Sequence, residues 1–203
     1  MSGSAETYRE TLIKEGNHHL KVGEYRAAVI CYDEALELMS EDSHLWDSRG
    51  VALSKARRYP DAVESFEIAL DQEPDNVKAW SNMGVALGGM KKFEEGLNCF
   101  KRALEIDPLN DEAWNNKGTA LFNLKRYPEA LESFNKAIEL NPKNALAWAG
   151  KGSVHRFNGE FEEAVQSLEK YIELSAGKYS PQVEEAWAMI FDLKLKLNSK
   201  NKI

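Results

Sequence analysis

The sequence predicts an all-α chain: a stacked array of five helical hairpins closed by one further helix. Three observations lead there. Tryptophans 46, 80, 114 and 148 stand 34 residues apart three times running, and each is followed four positions later by Gly50, Gly84, Gly118 or Gly152. A fixed period in this range marks units that bury their apolar faces only against their neighbours. Within each period the apolar spacing changes phase once, which separates two helices. Between periods stand Asp107-Pro108 and Asn141-Pro142, which stop one helix, and Asn76, Asn110 and Asn144, which suit the start of the next.

With tryptophan as the fourth residue, the blocks run 43–76, 77–110, 111–144 and 145–178, and a fifth fits upstream at 9–42. Residues 1–8 are left as an N-terminal tail. The upstream block has Leu12 in place of tryptophan but keeps Gly16, Tyr25, Ala28, Tyr32 and Ala35 in phase. In the block at 111–144, Trp114, Gly118 and Leu121 mark one face of a first helix, with Lys117 out of place. Ala130, Leu131, Phe134, Ala137 and Ile138 mark the second helix. A short polar joint such as Lys125-Arg126-Tyr127 connects them, with Pro60 or Pro128 in the first turn of two second helices, where a missing N–H costs nothing.

Small residues at positions 8, 20 and 27 let helix axes approach, while the position-4 tryptophan and position-24 aromatic fill the remaining space. A bulky side chain at Gly118 or Ala130 is expected to overpack the joint, at about 1–3 kcal/mol. Past residue 178 the period breaks, since Trp187 lies 39 residues after Trp148. Ser180-Pro181 reads as a helix start, and 181–198 as a helix packing through Val183, Trp187, Ile190, Phe191 and Leu195. That reading leaves Ala186, Met189, Leu193 and Leu197 as an outer stripe for self-association.

This pattern closely resembles the tetratricopeptide repeat family over residues 9–178. The resemblance implies a right-handed superhelical solenoid of five repeats, with residues 179–203 as a C-terminal capping helix and short tail. It also implies that the first helices line a concave groove holding an extended peptide or another protein's helix.

By that resemblance, positions 2, 5, 6, 9, 12 and 13 of each first helix face the groove. The residues expected to touch a peptide are Lys14, Asn17, Lys21, Lys55, Lys78, Asn82, Asn115, Asn116, Asn123 and Arg156. Their amides offer donor and acceptor together, which suits a peptide backbone, and their bases suit an acidic segment. A carboxylate clamp of the kind some tetratricopeptide domains carry would need five particular positions in repeats one to three. Only Asn17 and Lys78 match. Gly88-Gly89 near a helix end costs on the order of 1 kcal/mol per residue relative to alanine, and reads either as a frayed end or as a widened groove.

The 203 residues, 43% hydrophobic and 29% charged, suffice for one elongated domain. A net charge of −7 argues against general affinity for nucleic acid or anionic lipid. The amino terminus is polar and no run approaches 18 apolar residues, so neither a signal peptide nor a membrane span is expected, and the cytoplasm is the expected compartment. Cys31 and Cys99 share position 23, two hairpins apart, far beyond the about 7 Å a disulfide spans. His19 and His155 fall at a packing position rather than in a metal-ligand spacing. Ala149-Gly150-Lys151-Gly152-Ser153 lacks the phosphate-loop order, and no hydrolase or metalloprotease motif occurs. The expectation is a non-enzymatic interaction module without cofactor or metal, binding a peptide or protein segment, with homodimerisation through the C-terminal helix as the alternative.

Overall fold

The structure is a computed structural model that describes residues 3–175 and 180–200. Among the described residues every regular element is α-helical. Residues 1–107 and 108–203 form two compact units. The first holds α1 (Gly3–Val22), α2 (Tyr25–Leu38), α3 (Ser43–Lys55), α4 (Tyr59–Gln72), α5 (Val77–Gly89) and α6 (Phe93–Ile106). The second holds α7 (Asp111–Asn123), α8 (Tyr127–Leu140), α9 (Ala145–Asn158), α10 (Phe161–Leu174) and α11 (Pro181–Lys200). Helix α1 begins at Gly3, ahead of the block boundary at residue 9, because Ala5-Glu6-Thr7 continues the helix and places Glu6 favourably in its first turn.

Each hairpin closes on its glycine. A Cβ on Gly118 would lie 2.8 Å from the Phe134 ring, and one on Gly84 would lie 2.7 Å from Phe100. The same juxtaposition pairs Gly16 with Tyr32, Gly50 with Phe66 and Gly152 with Leu168. Tyr32, Phe66 and Phe134 are almost wholly buried, so these contacts are the centres of the hairpin cores. Ala28, Ala62 and Ala130 at position 20 are likewise inaccessible.

The caps fall where the sequence puts them. Asn76, Asn110 and Asn144 accept from the backbone N–H of Ala79, Ala113 and Ala147 at 3.0, 2.9 and 3.1 Å, and Asp42 does the same for Leu45. The tryptophans do more than fill space. Each indole donates to a carbonyl six residues back: Trp46 to Ser40, Trp80 to Pro74, Trp114 to Pro108 and Trp148 to Pro142, at 2.8–3.0 Å. They latch the loop that precedes their own helix and remain half exposed. Lys117, anomalous in the apolar stripe, places its ammonium 4.3 Å from the Trp114 ring centroid.

The turns within hairpins share one device that the polar joint did not reveal. Position 15 adopts left-handed backbone in all five, as Gly23 and Gly159 and as Arg57, Lys91 and Lys125. The residue after it donates its N–H back to position 11, as in Arg58 to Leu53 and Arg126 to Leu121, both at 2.9 Å.

Helix α11 corrects the sequence reading. Its buried residues are Ala186, Ile190 and Leu193, with Val183 and Met189 packed beside them. Trp187, Phe191 and Leu195 are 54%, 68% and 53% exposed. The stripe expected to pack is thus largely outside, and the stripe assigned to self-association is largely inside. Ala186 permits close approach to α10, Ile190 and Leu193 bury beside it, and the Lys194 ammonium lies 2.8 Å from Glu169 at the surface.

Candidate functional site

Within residues 1–107, α3 and α5 lie side by side as the first helices of adjacent hairpins and form the floor of a groove. Their capped N-termini set the register. Asp47 on α3 and Asn82 on α5 then meet, with the Asn82 amide donating to the Asp47 carboxylate at 3.4 Å. Two cavities flank this contact.

The cavity towards the helix N-termini measures about 720 Å³ and is lined by His44, Asp47, Ser48, Glu73, Asp75 and Lys78, among others. The one towards the C-termini measures about 550 Å³ and is lined by Val51, Ser54, Lys55, Arg57, Tyr59, Asn82, Val85 and Gly89. The groove is therefore polarised. Three carboxylates at one end face one ammonium and an imidazole, whereas Lys55 and Arg57 at the other end meet no acid in the lining. Val51, Val85 and Tyr59 add apolar surface to the basic end. Burial pushes the Asp47 carboxyl above its ordinary value, against the lowering effect of the Asn82 hydrogen bond, and of His44 and Lys78 nearby.

Of the ten expected contact residues, Lys55, Lys78 and Asn82 line this groove. Lys14 and Lys21 are exposed on α1, and Asn17 accepts the Tyr32 hydroxyl at 2.8 Å. On α7, Asn115 is 7% exposed and so does not face an open groove. The Asn115 side chain turns into the packing, where its amide nitrogen donates to Asn116 at 3.3 Å and its side-chain oxygen Oδ1 has no hydrogen-bond partner. Asn123 donates to the Thr119 carbonyl at 2.8 Å, and the Arg156 guanidinium lies 5.1 Å from the Phe157 ring. Sequence reasoning did not single out Tyr59 or Arg57 as groove residues, although both line the cavity. Gly89 was the available signal. A Cβ there would lie 2.6 Å from Tyr59, whereas the same position in the fifth repeat carries Phe157, stacked on Tyr127 at 5.4 Å.

Among the described residues no cluster of histidine, cysteine, aspartate or glutamate could hold a metal ion, and no helix is long and apolar enough to cross a membrane. Both cysteines are free thiols. Burial raises their pKa values, that of Cys99 to about 11.

Successive hairpins of constant period, glycine-to-aromatic closure and a groove floored by first helices define a helical-repeat protein-interaction module. Tetratricopeptide repeat models match residues 48–87, 77–110, 111–144 and 133–166, and the chain belongs to the tetratricopeptide repeat family. Among solved structures it is similar to MamA 41-end from Desulfovibrio magneticus RS-1, with TM-score 0.75, 21% identity, and coverage of 89% of this chain and 99% of that one. It is also similar to YrrB, described as a TPR protein with an unusual peptide-binding site, with TM-score 0.64, 27% identity, and coverage of 82% and 86%. MamA from AMB-1 aligns with TM-score 0.65 at 26% identity over 88% of this chain and 97% of that one. No curated protein matches the chain by sequence.

Proposed function

We propose that the protein is a non-enzymatic module that binds an extended peptide segment of a partner protein along the α3–α5 groove. The observation that carries this is the pair of cavities on either side of the Asp47–Asn82 contact, lined in large part by exposed and half-buried residues of the first helices α3 and α5. A short extended segment can run from one cavity to the other past the Asp47–Asn82 contact, where Asn82 offers backbone groups a donor and an acceptor. An apolar side chain fits against Val51, Val85 and Tyr59. An acidic group, or the segment's own carboxylate, reaches Lys55 and Arg57, while basic character suits the Asp47, Glu73 and Asp75 end. The ligand is thus acidic at one end rather than throughout. YrrB, with its peptide-binding site, is a related precedent.

The test is selection from a random displayed-peptide library on the wild-type protein, followed by affinity measurement on Val85→Asp and Lys55→Glu. Enriched peptides should carry an apolar residue close in sequence to an acid, since Val51, Val85 and Tyr59 line the same cavity as Lys55 and Arg57, and each variant should weaken binding at least about tenfold, as loss of a buried contact implies. Failure to enrich any sequence, or binding by both variants as tight as the wild type's, rejects the groove.

A further inference from the structure

The exposed face of α11 has a counterpart in every hairpin. When α11 is aligned by its cap, Ser180 corresponds to Asn144, the cap of α9, because each accepts from the backbone N–H three residues on. Ala188 then falls at position 8 and Phe191 at position 11. In the five hairpins position 8 is the glycine that receives the ring or branched side chain of the second helix. Position 11 is where Leu53 and Leu121 are buried. Helix α11 is thus a first helix whose second-helix face is uncovered, and the surface calls for an antiparallel helix.

From its symmetry we infer that the occupant is α11 of a second copy of this chain. Trp187 and Leu195 lie four residues to either side of Phe191, so the exposed stripe maps onto itself when one helix is turned end for end. Phe191 then packs on Phe191 across a two-fold axis, and Trp187 of each copy packs on Leu195 of the other, a self-complementary isologous contact. The charges agree with this direction. Glu184 and Glu185 occupy the exposed N-terminal part of α11, whereas Lys194 and Lys196 occupy its C-terminal part, half exposed although paired with Glu169 and Asp192. Antiparallel association sets acidic beside basic ends, whereas parallel association sets like beside like. Each copy contributes three half-exposed side chains, on the order of 100 Å² each, so the contact is smaller than a permanent interface and the dimer is a weak one.

The experiment is sedimentation velocity of the full chain between about 10 μM and 1 mM, since a weak dimer appears only by mass action. The weight-average mass should climb from 22.9 kDa towards twice that value. Phe191→Glu should remain monomeric throughout with unchanged helical circular dichroism, because the side chain it replaces is exposed. Glu184→Lys/Glu185→Lys should move the midpoint at least about threefold to higher concentration, with a dependence on salt that the wild type does not share in sign. Three results each overturn the proposal: a wild-type mass of 22.9 kDa at every concentration, as expected if a different partner's helix covers the face; an unchanged rise in Phe191→Glu; or growth beyond a dimer. The groove variants Val85→Asp and Lys55→Glu leave this mass unaffected, which separates the two proposals.

Discussion

At the residue scale the groove contains a group that folding alone disfavours. The Asp47 carboxyl is raised above its ordinary value by burial, so between its unfolded and folded pKa values the folded protein holds the extra proton. Stability therefore falls as pH rises through that window, and the penalty is fully present above the folded value. Asp47→Asn should raise the melting temperature near neutral pH, and the gain should vanish below the ordinary carboxylate range; melts of both proteins across pH check it. A gain that persists in acid would mean that the carboxylate's charge is not the cause. Gly88 and Gly89, two ambiguous residues in the sequence, are separated by the same kind of argument. A Cβ at Gly88 meets nothing within 4 Å, whereas one at Gly89 would meet the Tyr59 ring at 2.6 Å. Gly88→Ala should stabilise by about 0.5–1 kcal/mol, and Gly89→Ala should lose stability and close part of the cavity. Denaturant titration of the two alanine variants decides whether the pair is one flexible element or two residues with different duties.

At the scale of elements, hairpins and caps were legible because their signals are local: a period, a phase change, an asparagine before a helix. The α11 orientation was not, because Trp187, Phe191 and Leu195 and the set of Ala186, Ile190 and Leu193 both have helical spacing, and size favoured the wrong one. Packing against α10 selected the smaller set. Of the expected groove face, the sequence placed Lys55, Lys78 and Asn82 beside the cavities, while it did not show that Asn17, Asn116 and Asn123, like Asn82, hydrogen-bond within the fold. Asn115, at position 5, is buried outright. The shared left-handed residue of the hairpin turn also escaped notice, because only two of five carry glycine there. It yields a prediction. Left-handed backbone costs a side-chain-bearing residue roughly 1–2 kcal/mol, partly offset by the greater unfolded-state freedom of glycine. Lys91→Gly and Lys125→Gly should therefore each stabilise by about 0.5–1 kcal/mol, while Gly159→Ala should destabilise by a similar amount. Chemical denaturation of the three single variants measures this, and destabilisation by both lysine-to-glycine changes would contradict it.

At the scale of the whole molecule, within each compact unit the helices pack on their neighbours in sequence or on the next first helix, as α3 on α5 and α7 on α9. Damage in such a chain should stay near its source, because the helix contacts within each unit join elements near in sequence. Leu193 offers the sharpest probe. It is fully buried, it belongs to the cluster of Ala164, Leu168, Tyr171 and Ile190, and it sits on the last helix, which packs on α10. Leu193→Ala should cost about 2–5 kcal/mol locally. Hydrogen exchange should then show α11 amides opening freely, α10 amides weakened, and α4 and α6 amides protected as in the wild type. Uniform loss of protection from α2 to α11 would instead require one cooperative unit. The same variant leaves Phe191 in sequence but removes the helix that presents it. Its mass at high concentration should therefore fall to that of a monomer, whereas binding of a selected peptide to the proposed α3–α5 groove should be unchanged.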